Sequence, residues 1–110
     1  MAVDEDLLER VRALIAAEPA ISESRMFGGV GMMRGGNLAL AVRGKGGLLV
    51  RVVEGEVDRA LAEPGTEQAV MRGRPMTGWL IVESAAVAKA ADLRRWVRRG
   101  LTAAAALPAK

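Results

Sequence analysis

The apolar positions of the chain change period as it runs from end to end. Near the start, Leu7, Leu8, Val11, Leu14 and Ile15 fall on one helical stripe. The acids Asp4, Glu5 and Asp6 suit the positive end of that helix, and Pro19 stops it. Asp6 with Arg10 and Glu9 with Arg12 are spaced as helical charge pairs on the wet side.

The pattern then shortens. Met26 to Met33, Leu38 to Val42 and Leu48 to Val53 read as strands. They are separated by "RGGN" and "RGKGG", whose glycines supply the positive φ that tight hairpins need. In the third strand Leu48, Val50 and Val52 fall on one face and Leu49, Arg51 and Val53 on the other, so one charge interrupts the second face. A short helix fits from about Val57 to Ala62, ended by Pro64 and Gly65. Gln68 to Met71 and Gly78 to Val82 follow as two further strands, turned by "RGRPM". "WLIV", Trp79 to Val82, is apolar on both faces, as in a strand covered on both sides.

From Ser84 onward the helical period returns, with Asp92 as the expected N-cap of a helix from Leu93 to about Ala106 and Pro108 just beyond it. Leu93, Trp96, Val97 and Leu101 share one arc; Arg94, Arg95, Arg98 and Arg99 share the opposite one. The expected fold is α+β: an antiparallel sheet of about five strands with an N-terminal helix, a short middle helix and a C-terminal amphipathic helix.

At 110 residues the chain reads as one domain, 1–110. Cysteine and histidine are both absent, which removes disulfides, thiolate nucleophiles, the usual zinc sites and histidine acid–base chemistry. No closely spaced carboxylates form a calcium loop, and no cofactor or metal is expected. No apolar run approaches the ~20 residues of a membrane span, and the acidic start is unlike a signal peptide, so a cytoplasmic chain without membrane contact is expected. The formal charge is +3; residues 1–66 hold 8 basic and 10 acidic side chains, residues 67–110 hold 8 and 3. The positive excess therefore points to the last two-fifths as a place for an acidic or nucleic-acid partner.

"RMFGGVGMMRGG", Arg25 to Gly36, invites a phosphate-loop reading that its spacing denies. Gly29 and Gly31 start a dinucleotide fingerprint, but Arg34 takes the third glycine position and a strand follows where a helix is needed. The "GK" of Gly44 and Lys45 lacks the following Ser or Thr of a P-loop. Read as one strand, the stretch puts Met26, Val30 and Met32 on the face of Gly28, and Phe27 and Met33 on the face of Gly29 and Gly31, the glycines leaving gaps for packing. Ser84 and Lys89 lack the S-x-x-K spacing, Ser22 and Ser24 have no histidine, and Glu54 and Glu56 fall in an exposed turn. No enzyme is expected.

"RMFGGVG", "GRPMTGWLIV" (Gly73 to Val82) and "ADLRRWVRRGLTAAAALP" (Ala91 to Pro108), in that order, resemble the N-terminal domain of the TfoX/Sxy family of bacterial competence regulators. The resemblance spans roughly Leu7 to Pro108. It implies an α+β domain with an antiparallel sheet, a single-domain member without the family's C-terminal domain, and a link to transcription. The chain departs from the family in having no tyrosine, in Gly78 and Trp79 where an aromatic pair is frequent, and in leaving the strand through Glu83 rather than proline.

The expected function is a non-enzymatic regulatory or protein-interaction module, with a protein partner in the transcription machinery or a second copy as a homodimer. Met32, Met33 and Trp79 are apolar candidates for a contact surface. The motif residues to follow are Arg25, Met26, Phe27, Gly28, Gly29, Arg51, Gly73, Arg74, Pro75, Met76 and Trp79. The alternative is weak, sequence-nonspecific nucleic-acid binding through Arg94, Arg95, Arg98 and Arg99, with Arg72, Arg74 and Lys89 in support.

Overall fold

The computed structural model describes residues 3–26 and 28–110. The helix α1 (Glu5–Ile15) leads into the strands β1 (Ile21–Met26), β2 (Gly29–Arg34), β3 (Asn37–Val42) and β4 (Leu48–Arg51). A 3-10 turn (Glu54–Glu56) and the short α2 (Val57–Leu61) precede β5 (Thr66–Met71) and β6 (Arg74–Val82). A second 3-10 turn (Ser84–Val87) feeds the long helix α3 (Ala90–Ala105). All six strands pair antiparallel in one sheet, in the order β1-β2-β3-β4-β6-β5.

The α+β architecture is the one the periodicity predicts, with six strands where about five are expected. The additional strand is β1, whose "ISESRM" is mostly exposed because it sits at the sheet edge and pairs with β2 alone. The expected single strand from Met26 to Met33 is therefore broken by a hairpin turn, where Gly28 takes φ +76°. The turn also changes the faces: Met26 pairs with Gly29 and packs over Gly31, so it lies with those glycines and not with Val30 and Met32. Phe27 lies outside the described residues.

One cap and one charge pair differ from expectation. Asp4 caps α1 by accepting the Leu7 N–H, as acids at a helix start should. Lys89, not Asp92, is the N-cap residue of α3; Asp92 sits in the first turn, where its charge still meets the positive helix end and pairs with Arg95. Arg10 does not turn to Asp6 but donates to the carbonyls of Val87 and Ala88, tying α1 to the second 3-10 turn.

Both long helices cover the same face of the sheet. Leu7, Leu8, Val11 and Ile15 of α1 join Leu93, Trp96, Val97 and Leu101 of α3 over Met32, Leu40, Val50 and Leu80. Each fully buried aliphatic or aromatic side chain contributes about 1.5–3 kcal/mol, so this single layer holds most of the apolar stabilisation. The closest approach is at Gly100. β3 bulges between Leu38 and Leu40, and a Cβ at Gly100 would stand 2.7 Å from the Ala39 carbonyl oxygen, so only glycine lets α3 seat there. Asn37, the one buried polar residue among the described residues, donates to the Pro108 carbonyl at 2.9 Å and holds the C-terminal segment on the β2–β3 turn.

Among the described residues, no helix is long and apolar enough to cross a membrane.

Candidate functional site

Among the described residues, neither long helix covers the second face of the sheet. Register places Gly31, Ala41, Leu49 and Ile81 in a row across β2, β3, β4 and β6 on that face. A groove of about 230 Å3 opens over Ala41, Leu49 and Ile81 of this row. Gly29, at its β2 side, must be glycine, because a Cβ there would stand 2.2 Å from the Val42 carbonyl oxygen. Met26 stands on one side and Met71 and Met76 on the other. Arg43 and Lys45, from the β3–β4 turn, are charged lining residues, and among the described residues no carboxylate lines the groove.

The far wall exists because β6 bulges. Between the Gln68–Leu80 and Val70–Pro75 pairs, Ala69 alone faces Met76 to Trp79, and Gly78 adopts φ +86°. Gln68 makes this bulge tolerable: its side-chain amide donates to the carbonyls of Met76 (2.8 Å), Ala69 (2.9 Å) and Trp79 (3.1 Å). Ala69, Met76 and Trp79 have no register partner across β5 and β6, and leaving their carbonyls unpaired there would be costly. The bulge sets Met71 and Met76 beside the groove, and the hairpin tip carries Arg72 (φ 53°), Gly73 (φ 77°) and Arg74 beyond them.

A second groove lies at the other end of β4 and β6, lined by Arg51, Trp79, Val53 and Leu107 among others. The Arg51 guanidinium rests 4.4 Å from the Trp79 ring centroid and its Nε donates to the Leu38 carbonyl at 2.7 Å. Burial pulls this guanidinium below its ordinary value, while the ring face and the carbonyl supply the negative potential that keeps a charge acceptable there. Arg51 and Trp79 thus brace each other.

The arginine helix is occupied by acids of this chain. Arg95 pairs with Glu63 at 2.7 Å and with Asp92 at 2.9 Å, Arg98 approaches Glu18 at 3.8 Å, and Arg99 pairs with Glu63. Arg99 also stacks 4.5 Å from the Trp96 ring centroid, and its Nη1 is shielded from water. Burial pushes the Glu63 carboxyl up, but Arg95 and Arg99 outweigh it and hold the group below its ordinary value. Glu63 correspondingly raises Arg95. Of the four arginines, only Arg94 makes no ion pair among the described residues.

The motif residues therefore separate. Met26, Gly29 and Met76 meet at the first groove; Arg51 and Trp79 belong to the second. Gly28, Gly73, Arg74 and Pro75 lie exposed at hairpin turns or beside them, the expected "GRPM" turn being only Arg72 and Gly73 because β6 begins at Arg74. Arg25 is exposed on the edge strand, opposite Val30. Met32 is a core residue with no exposed surface, so it belongs to no contact face; Met33 and Trp79 are half-buried. The residues missed from sequence include Ala41, Arg43, Lys45, Leu49, Gln68, Met71 and Ile81. "WLIV" is not covered on both sides as expected: Leu80 and Val82 are buried under the helices, while Trp79 and Ile81 are half-buried on the other face. Gln68 could not be found without the bulge it fills. Among the described residues, no three carboxylates gather as a metal site.

No curated protein and no solved structure matches the chain. The model of the TfoX N-terminal domain matches residues 13–104, from within α1 to the last turn of α3. With the whole sheet and nearly all of α3 inside that match, the chain belongs to the TfoX N-terminal domain family.

Proposed function

We propose that this domain is a non-enzymatic regulatory module that works in the bacterial cytoplasm by docking a protein, and that the helix-free face of the sheet is its contact surface. One observation carries the reading: an apolar row with methionine walls lies on the face that neither long helix covers. An uncovered apolar surface rimmed by polar residues is the usual mark of an interaction site. Membership of the TfoX N-terminal domain family supports a role of this docking in transcription regulation, including that of competence.

Nucleic-acid binding through α3 is the second reading, and the ion pairs weigh against it. Glu63, Glu18 and Asp92 already engage Arg95, Arg98 and Arg99, so phosphates would have to displace carboxylates to reach them. A photo-cross-linking amino acid placed at Met71, on the groove wall, and separately at Arg94, on the outer side of α3, tests the two. The docking reading expects cross-links to protein from position 71 and none to nucleic acid from position 94. Nuclease-sensitive adducts from position 94, with none from 71, would overturn it.

A further inference from the structure

Resting on that docking reading, we infer that the groove takes an amphipathic helix of the protein partner, apolar on the side that enters and acidic along its flanks. The shape selects a helix. The groove crosses from β2 to β5, four strand spacings or about 19 Å, which leaves room between its methionine walls for the ~10–12 Å diameter of a helix. At about 230 Å3 and open to solvent, it is smaller than the ~300–1,000 Å3 that enclose a small ligand, so it suits side chains presented by a larger body. Leucine-like anchors at i, i+3, i+4 and i+7 would meet Leu49 and Ile81 on the floor. Met26, Met71 and Met76 are unbranched and polarizable, and can repack around such anchors.

Charge selects the flanks. Arg43 and Lys45 line the groove with no carboxylate beside them, and Arg72 and Arg74 flank the tip next to Met71. Glu67 stands opposite Ile81 on β5, so the acidic flank of the partner runs along the β3–β4 turn, away from β5.

The probe is a fluorescein-labelled peptide of about 18 residues with leucines at the helical spacing and glutamates on the flanks, followed by anisotropy. A second peptide has lysine flanks, and dodecanoate serves as a small apolar anion. The glutamate peptide is expected to bind with a Kd of about 10–100 μM, at least tenfold tighter than the lysine peptide. Arg43→Glu with Lys45→Glu should reverse that preference. Lys89→Glu with Arg94→Glu, the same charge change on the helical side, should leave it within twofold. Lys45→Glu alone, at an exposed position without a side-chain hydrogen bond, repeats the test without disturbing the Arg43 bond to the Gly46 carbonyl, and Met71→Ser should weaken both peptides. Equal or tighter binding of the lysine peptide overturns the acidic occupant. Dodecanoate binding without peptide binding makes the groove a fatty-anion site and overturns the helix. If neither peptide binds while position 71 still cross-links protein, the occupant is wrong and the docking face stands; if cross-linking fails too, both fall.

Discussion

Removing the Glu63 carboxylate tests whether the α3 arginines are structural. In Glu63→Gln, Arg95 keeps Asp92, but Arg99 loses its carboxylate partner while its Nη1 remains shielded from water. An exposed ion pair contributes about 0–1 kcal/mol, whereas breaking a fully buried one costs about 3–5 kcal/mol. The pair here lies between, with 17% of the Arg99 and 22% of the Glu63 side chain exposed, which puts the loss at about 2 kcal/mol. For a chain of this size that is a fall of about 8 °C in Tm. The carboxyl is held below its ordinary value in the folded protein, so its contribution is full above the unfolded value near ~4.3 and disappears as pH falls through the lowered folded one. Thermal melts of wild type and variant, at neutral pH and in steps down through that acidic range, should therefore converge. A Tm loss below about 1 °C at neutral pH, or a gap that persists to the acid limit, would refute the assignment.

The remaining expectations concern packing and the groove wall. Gly100→Ala sets overpacking of about 1–3 kcal/mol against the rigid Ala39 carbonyl against about 1 kcal/mol of helix propensity, so calorimetry should show a net loss near 1 kcal/mol. Gly31→Ala should cost less in the same experiment, because its new Cβ meets only the movable ends of Leu38 and Met26. Gln68→Ala removes the two amide N–H groups that three bulge carbonyls share; amide exchange should quicken at the β5–β6 tip, and urea melts should show a loss of about 1–2 kcal/mol. Asn37→Ala should release the segment near Pro108, read as faster amide exchange there, at a cost of about 1 kcal/mol.

Much of this was legible because it is written locally. The 3.6-residue stripes of α1 and α3, the glycine-rich turns and the alternation of β4 each follow from neighbours in sequence, and the ordered motifs carried the family. β1 escaped because an edge strand paired on one side has no need of alternating apolar residues. The arginine face was visible as a charge pattern, but its partners Glu18 and Glu63 are distant in sequence and meet it only in three dimensions. The groove was half legible: Met26, Gly29 and Met76 stood in recognisable motifs, while Leu49 and Ile81 looked like ordinary strand residues until the helices proved to cover one face alone.

The docking face can be tested most directly with the protein labelled at its methionine methyls, since Met26, Met71 and Met76 line the groove and the buried Met32 serves as an internal control. Methyl spectra recorded with and without an extract of the cells that make it should show the three groove signals shifting or broadening together, reversed by protease digestion of the extract, with Met32 unmoved. Unchanged groove methyls alongside nuclease-reversible shifts in the amides of Arg94 to Arg99 would contradict the account.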